Sequence, residues 1–398
     1  MNTNKKNMLK LVLLLGFVLA GLLPLTVTAQ NSLDKAKVVA QKSGNLTVCK
    51  LNSLEGGELT ISLSAITGEL QILKLDPASA ALVKNSATVI SEHYVLVSAE
   101  SGQPCKLFSR KDGRFIGNVG AIGQGPGEYR LIYDQQIDEA AGHIYLLPWQ
   151  SKNLLVYDLK GKFQRAIPLC YPSPKGRFWA DSKTGKLIVS VLPFTGAKAL
   201  VWQQTFGGKL LKSVAPGSLS ITPDFSNELS AFPSAEGYDF TVFTFAPRKD
   251  TLYRYNTERN VLIPLFTLDF GDRTPSIHGY AEYGNYYMGD ISEPKKLNAK
   301  ETTTQNTRFY LVDKRTCRGG FFHLVNDYLG NMAVPYPTYS FRNGYFVQNM
   351  DPGDLADALD KALATGKLSQ AQREKLTRLK DGISENDNNY ILYAPIKR

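Results

Sequence analysis

A hairpin turn recurs at a nearly constant interval along the chain. Three copies carry a glycine at the turn, Gly113, Gly161 and Gly208, and a fourth copy has Asn260 in the corresponding place. The steps between them are 48, 47 and 52 residues. In each copy a run of strand-forming residues precedes the turn and an apolar run follows it, which is the pattern of a β-hairpin. An interval this regular predicts a structural unit that repeats along the chain.

Two further turns indicate that each unit contains more than one hairpin. The segments DEAAGHIYLL (138–147) and DSKTGKLIVSV (181–191) each place a glycine turn before an alternating apolar strand. A unit of about 45–50 residues then holds about four short strands, the length and content of a propeller blade. Six such units fit between about residues 45 and 348. The sequence therefore predicts an all-β fold, a six-bladed β-propeller of four-stranded blades, because a pair of β-sandwiches would not require a constant interval.

The N-terminus has the pattern of a secretory signal peptide. A lysine-containing start is followed by an apolar run of about 13 residues, which is short for a membrane span. Val27 and Ala29 occupy the −3 and −1 positions of a signal-peptidase site. We therefore predict cleavage after Ala29 and export to the periplasm or the cell exterior. No later segment is apolar enough to cross a membrane as a helix.

The C-terminal part of the chain changes from strand to helix periodicity. Leu355 and Leu359 fall on one helical face, and Ser369 with Gln372 forms the capping box of a second helix. A short apolar strand follows and could return to the sheet to close the ring. The predicted domains are a signal peptide (1–29), the propeller (30–350), a short helical segment (351–383) and a C-terminal strand segment (384–398).

Charge and cysteine content restrict the function only loosely. The formal net charge is +10, but the basic residues are scattered, and export argues against a nucleic-acid partner. The four histidines and four cysteines are dispersed without the spacing of a metal site, so we predict no metal or cofactor. One disulfide or four buried thiols both remain open for the cysteines, which are Cys49, Cys105, Cys170 and Cys317.

A glycine-rich loop, GAIGQGPGEYRLIYD (120–134), raises the question of phosphate binding. A P-loop needs a lysine after the glycines, and a dinucleotide fingerprint needs a helix there. Neither condition is met, and Pro126 removes an amide that a phosphate would use. We interpret the loop as the crossing from one blade to the next, its structural residues being Gly120, Gly123, Gly125, Pro126 and Gly127. The candidate ligand contacts are Glu128, Tyr129 and Arg130, which either brace this crossing or face a ligand in the central opening.

Several longer segments carry a resemblance to a known family. They are DGRFIGNVGAIGQGPGEYR (112–130), KDTLYRYN (249–256), PLFTLDFGDRTP (264–275), HLVNDYLGN (323–331) and the tail SENDNNYILYAPIKR (384–398). The chain resembles the exported six-bladed β-propeller proteins of gut Gram-negative anaerobes, relatives of the NHL-repeat propellers. The resemblance implies the propeller fold. It assigns no catalytic residues, and this chain lacks the lipoprotein cysteine that many relatives carry after the signal.

The sequence favours binding over catalysis. No G-x-S-x-G nucleophile motif is present. We predict a non-catalytic binding or scaffold propeller that presents one face to a protein, peptide or glycan. Two tyrosine-rich stretches, 278–290 and 334–349, suit either sugar and peptide contact or packing between blades.

The alternative function is a calcium-dependent lactonase or esterase-like hydrolase with its site in the central channel. Six-bladed propellers of that kind bring carboxylates and amides together around calcium. The candidates for such a site are Glu128, Asp138, Asn227, Asp290 and Asn326.

Overall fold

The computed structural model describes most of the chain after its N-terminus. The described residues are 33–98, 102–223, 227–234, 237–243, 248–296, 302–365 and 368–397. The predicted signal peptide (1–29) and its cleavage site lie outside the described residues.

A segment of short strands and helical turns comes first. We call residues 37–74 the N-terminal strap, and its elements are β1 (Lys37–Val38), β2 (Ala40–Ser43), β3 (Leu46–Lys50), α1 (Leu51–Leu54), β4 (Glu58–Ser62), α2 (Leu63–Ile66) and β5 (Gln71–Lys74). Most of the strap adds strands to the outside of sheets formed later in the chain: β3 runs parallel to residues 266–269, and β4 runs parallel to residues 321–325.

Three antiparallel sheets of four strands follow in sequence order. The first consists of β6 (Thr88–Ile90), β7 (Tyr94–Val97), β8 (Cys105–Ser109) and β9 (Phe115–Val119). A small parallel pair, β10 (Ala121–Ile122) and β11 (Glu128–Tyr129), precedes the second sheet. The second sheet consists of β12 (Ile132–Asp138), β13 (His143–Pro148), β14 (Ser151–Asp158) and β15 (Phe163–Ser173). The third consists of β16 (Gly176–Asp181), β17 (Lys186–Val191), β18 (Val201–Thr205) and β19 (Leu210–Val214).

The remaining three sheets recruit strands from other parts of the chain. The fourth contains β20 (Ser230–Ser234), β21 (Gly237–Thr241), β22 (Leu252–Asn256) and β23 (Val261–Asp269). The fifth contains β24 (Ile277–Tyr283), β25 (Tyr286–Lys296), β26 (Thr302–Asp313) and β27 (Arg318–Asn326), with β28 (Met332–Val334) paired to β27. The sixth contains β29 (Phe341–Arg342), β30 (Tyr345–Met350), β31 (Tyr390–Pro395) and, as its outer strand, β5 of the strap.

Helices are few and short. Between β30 and β31 lie α3 (Pro352–Ala364) and α4 (Gln370–Asp381), and the capping box predicted at Ser369 and Gln372 is present. Single 3-10 turns occur at Ser79–Ala81, Gly217–Leu219, Asp327–Leu329 and Pro337–Tyr339. Within the described ranges, no helix has both the length and the apolar character needed to cross a membrane.

The sheets pack face to face around a common axis. The first strands of successive sheets contact each other, β6 with β12, β12 with β16, and β16 with β20. The apolar cores lie between neighbouring sheets: Leu96 of the first packs with Ile144 of the second, for example. This is a β-propeller in which the first strand of each four-stranded sheet lies nearest the axis. At least five of the sheets are its blades, so the predicted all-β propeller fold with a few short helices is confirmed.

The recurring turns have a packing cause. Gly113, Gly161, Gly208 and Asn260 join the third and fourth strands of successive sheets, and all four have left-handed backbone. A Cβ atom on Gly161 would lie 2.0 Å from the carbonyl oxygen of Asn118, on the outer strand of the preceding sheet. The turn therefore needs a glycine for its φ and for its close approach to the neighbouring blade. Asn260 instead donates a hydrogen bond to the Ser213 carbonyl oxygen at 2.9 Å.

The two ends of the chain meet in the sixth sheet. Strand β31 lies between β30 and β5. The side chain of Asn388, 2% exposed, donates to the carbonyl oxygens of Asp76 and Ala81 at 2.8 and 2.9 Å and accepts from the Val83 amide at 3.1 Å. One buried amide thus holds the segment that leads from the strap into the first sheet.

Substitution of Gly161 tests the packing cause of the recurrence. Gly161→Ala should lower the free energy of unfolding by more than the strain of a left-handed alanine alone, which is about 1–2 kcal/mol. Gly142→Ala is the matched control, because Gly142 also has positive φ but a Cβ there meets no atom within 4 Å. Equal losses for the two variants, measured by denaturant unfolding, would contradict the close-approach argument.

Asn388 offers a second test, on the closure of the ring. Asn388→Ala leaves two carbonyl oxygens and one amide without their partner, so we expect a loss of about 2–4 kcal/mol in the free energy of unfolding. Asn386→Ala, two residues away and exposed, should be nearly neutral. The prediction fails if thermal unfolding gives the same midpoint for both variants.

Candidate binding site at the channel mouth

The glycine-rich loop connects β9 of the first sheet with β12 of the second. Gly120 and Gly127 have positive φ, whereas Gly123 and Gly125 do not. These two glycines make room for Glu128 instead. A Cβ on Gly123 would lie 1.9 Å from a carboxylate oxygen of Glu128, and that oxygen accepts the Gly125 amide at 2.8 Å.

The three predicted ligand contacts on this loop have different surroundings. Tyr129 is 4% exposed, and its hydroxyl donates to the Val119 carbonyl oxygen at 2.5 Å and accepts from the Cys105 amide at 2.8 Å. Burial raises the pKa of the Tyr129 phenol. Glu128 and Arg130 are exposed. Tyr129 therefore braces the first sheet against the loop, and a ligand contact by Glu128 or Arg130 stays a prediction.

An ion pair joins two sheets that are not neighbours. Arg342, the last residue of β29, donates to Asp134 near the start of β12 at 2.7 Å. Asp134 also accepts the Phe178 amide of β16 at 3.0 Å, so one carboxylate binds both the third and the sixth sheets to the second. We call this end of the axis, where the inner strands begin, the channel mouth.

A second polar cluster lies at the starts of β12, β16 and β20. The Lys175 ammonium donates to the Asn227 carbonyl oxygen at 2.8 Å and to the Glu228 carboxylate. Glu228 also accepts from the Tyr133 hydroxyl, and the Arg177 guanidinium lies over the Tyr133 ring, 4.9 Å from its centroid. With the Asp134–Arg342 pair, the channel mouth holds three cationic side chains and two carboxylates in these two clusters.

Two tyrosines at the channel mouth are exposed. Tyr336 and Tyr339 are 61% and 58% exposed and lie at the 3-10 turn that precedes β29. The tyrosines of the other predicted stretch, 278–290, pack inside: Tyr287, for example, stacks on Phe266 with centroids 4.6 Å apart. The structure thus assigns packing to the first tyrosine-rich stretch and leaves surface rings in the second.

A small cavity lies directly beside Tyr339. Its volume is about 50 Å3, and it is enclosed by the fourth sheet, the fifth sheet and the turn before β29; its lining includes Ser230, Phe232, Thr241, Asp290, Thr338 and Tyr339. Asp290 is 6% exposed and receives one long hydrogen bond, from the Thr338 hydroxyl at 3.4 Å. Burial raises its pKa to about 6.

Asp290 differs from the other buried aspartates of the described chain. Asp239 forms a two-point ion pair with Arg254, both contacts at 2.7 Å. Asp250 accepts three backbone amides at 2.7–3.0 Å. Among the described residues Asp290 has neither an ion pair nor a backbone amide. A buried carboxylate without such partners destabilises the ionised form.

Comparison with known proteins places the chain in a family. Residues 46–395 match the model of a domain of unknown function, DUF4934. The chain belongs to the DUF4934 family. A crystallised protein of Bacteroides fragilis, described as a candidate exported protein, is 17% identical to it, with a TM-score of 0.58 over 89% of this chain and 100% of that one. A DUF4221-family structure from Bacteroides vulgatus is 10% identical, with a TM-score of 0.45 over 83% of this chain and 97% of that one. A comparison with curated proteins finds none that matches.

The family match and the likeness to the Bacteroides fragilis structure confirm the predicted resemblance as far as the β-propeller fold. The NHL-type relationship and the number of blades stay predictions. Identity at this level carries the fold and no function.

The residues predicted for a hydrolase site do not come together in the DUF4934 chain. Asp138 lies at the far end of β12 from the channel mouth, where it accepts the Ala141 amide and the Ser182 hydroxyl. Asn326 ends the outer strand β27. Glu128 lies on the crossing loop, so only Asn227 and Asp290 remain near the mouth.

A different acid–histidine group could hold a cation. Glu92, His93 and Glu139 are the one set of three such side chains that the described residues bring within ligand distance. His93 is exposed and bonds to the Glu139 carboxylate at 2.7 Å, which raises the pKa of the imidazole. The set lies on turns at the end of the propeller opposite the channel mouth.

The four cysteines are free thiols in the structure. Cys49, Cys105 and Cys317 are buried, and Cys170 is partly buried. Burial, together with the neighbouring Cys317, raises the pKa of Cys49 to about 12. None of them adjoins the channel mouth.

Sequence reasoning missed the members that define the channel mouth. Arg342, Tyr336 and Tyr339 were part of a noted tyrosine-rich stretch, but nothing in that stretch separates exposed rings from packed ones. Asp134 ends the glycine-rich stretch without being singled out there, and no motif marks Arg177. A usable signal was the charge at the first positions of predicted inner strands, since those positions meet at the axis of a propeller.

Substitution of Asp290 should show how much the burial of its ionised carboxylate lowers the free energy of unfolding. Because its pKa is about 6 in the folded protein against an ordinary value near 3.8, the folded state binds the proton more tightly and stability falls as pH rises through this range. Asp290→Asn should therefore raise the free energy of unfolding at pH 8 by about 2–3 kcal/mol, and this gain should appear as a higher melting temperature. The gain should vanish near pH 4. A gain that is the same at both pH values, or a loss at pH 8, would contradict the assignment.

Proposed function

We propose that the protein is an exported, six-bladed propeller that binds a protein, peptide or glycan at the channel mouth without a cofactor. The observation that carries the proposal is the pair of exposed tyrosines, Tyr336 and Tyr339, beside a cavity lined by Asp290, a buried carboxylate without an ion pair among the described residues. Exposed tyrosines next to a concavity with a few placed polar groups are typical of recognition sites.

The apolar cores support six blades in one ring. Successive sheets share a core at each junction, and a further core packs Leu73 and Ile391 of the sixth sheet against Val95 of the first. Contact between β30 and β6 has the same position as the contacts between other neighbouring sheets. A closed ring of six blades accounts for all of these junctions.

Two observations support export. The N-terminal 29 residues have the order of charges, apolar run and small residues that a signal peptide requires. The similar structure from Bacteroides fragilis is described as a candidate exported protein. A rigid propeller in that compartment would suit a binding or scaffold role, because its inner strands hold side chains from distant parts of the sequence in fixed positions.

Hydrolysis is the competing function. A calcium-dependent lactonase would require carboxylates and amides that converge on one ion, and the residues predicted for it lie apart. Binding without chemistry requires only a surface such as the one that the exposed tyrosines and the cavity beside Tyr339 provide.

The test is binding to peptide and glycan arrays by the mature protein. Removal of both rings in Tyr336→Ala/Tyr339→Ala should weaken any specific binding at least about tenfold, because central aromatic residues dominate such interfaces. Leu211→Ala is the control, an exposed apolar residue on the outer strand β19. Binding that the double variant retains would exclude the channel mouth, and lactone hydrolysis that needs calcium and stops with EDTA would establish the competing function.

A further inference from the structure

The cavity beside Tyr339 has the composition of a site for a cation. Its lining includes Asp290 and three aromatic residues, Phe232, Tyr280 and Tyr339. The Thr241 hydroxyl is 1% exposed and finds no hydrogen-bond partner among the described residues. The cavity thus combines a hydroxyl without a partner and a carboxylate whose hydrogen bond, from Thr338, is a long one of 3.4 Å.

The chain leaves space for the Asp290 carboxylate. A Cβ atom on Gly279 would lie 2.9 Å from its Oδ1 atom. The glycine opposite it in the sheet register therefore keeps that oxygen accessible from the cavity. With a pKa of about 6, the carboxylate is mostly ionised at neutral pH and carries an uncompensated negative charge.

The shape and chemistry restrict the ligand group. A cavity of about 50 Å3 admits only a few non-hydrogen atoms. A metal ion would need several oxygen ligands, whereas Asp290 is the one carboxylate in the lining. A primary ammonium has three donors, which match the carboxylate and the Thr241 hydroxyl, and aromatic faces attract its charge.

We propose that this cavity binds the primary ammonium group of a peptide, from a lysine side chain or an N-terminal amine, with Asp290 as its counter-ion and Thr241 as an acceptor. The inference rests on the proposed function and names its ligand. Tyr339, which both lines the cavity and faces solvent, would contact the adjoining part of the peptide.

A fragment experiment tests the cavity by itself. The probe is n-butylammonium, with 1-butanol as the neutral analogue, and binding is followed by NMR at pH 7.5. The wild-type protein should bind butylammonium with a millimolar dissociation constant, and butanol at least tenfold more weakly. Asp290→Asn should abolish butylammonium binding, whereas Asp357→Asn on the exposed face of α3 should not change it.

A second variant keeps the test valid if Asp290→Asn perturbs folding. Thr241→Val preserves shape and removes only the unpartnered hydroxyl, so binding should weaken several-fold while the melting temperature stays the same or rises. Equal binding of butanol and butylammonium, or full binding by Asp290→Asn, overturns the proposal.

Three blocked peptides separate the sources of the ammonium. Acetyl-Ala-Lys-Ala-amide offers only a lysine, Ala-Ala-Ala-amide only an N-terminal amine, and acetyl-Ala-norleucine-Ala-amide neither. Binding of either of the first two but not the third supports the proposal and identifies the source. Binding of glucosamine without either peptide overturns it in favour of an amino sugar. The arrays could show binding that depends on Tyr336 and Tyr339 while butylammonium does not bind. That result would contradict this inference and leave the proposed function intact.

Discussion

The sixth sheet depends on the pairing between β31 and β5, which joins the C-terminal strand to the N-terminal strap. Loss of this pairing would weaken the packing of the sixth sheet against the first, because Leu73 and Ile391 both pack with Val95. The side chain of Asn388 bonds to three backbone groups between residues 76 and 83, and Asn389 bonds to Asn349 and Asn85. Both asparagines are buried, so the closure is a directional contact as well as an apolar one. This explains why the tail that carries the family resemblance is polar before it becomes a strand.

The convergence of the inner strands on one axis gives the channel mouth its composition. Asp134, Lys175 and Asn227 lie near the starts of the inner strands β12, β16 and β20, and Arg342, which ends β29, donates to Asp134. The starts of inner strands converge on the axis, so charges that are remote in sequence become neighbours. The Asp134–Arg342 pair then serves the fold and the surface together: it links the second and sixth sheets across the axis and leaves a partly exposed guanidinium at the mouth.

The limits of sequence reasoning follow from the same geometry. The interval of the turns could be predicted from the sequence because each turn needs a residue with positive φ beside a neighbouring strand. This local requirement favours glycine and repeats from blade to blade. The turn of the fifth sheet was not recognised as a copy of the repeat. It follows two long strands and carries Cys317, a non-glycine residue with φ of 56°, where the other copies have glycine or asparagine. The pairing of the N-terminal strap could not be predicted from the sequence, because β3 and β4 pair with strands more than 200 residues away. Tyr336 is exposed and Tyr287 is buried because of the sheets that surround each of them. The local sequence pattern does not encode those neighbours.

The three buried aspartates make the strongest case that the cavity is more than a packing defect. Asp239 and Asp250 show how this fold satisfies a buried carboxylate, one with an arginine and the other with backbone amides. If Asp290 served only the fold, an asparagine would fill the same space, accept the same bond from Thr338 and avoid the cost of a buried charge. A carboxylate is needed there only when something brings a positive charge to it. Because the cavity adjoins an exposed tyrosine at the mouth of the ring, that charge can come from a partner that docks on this face.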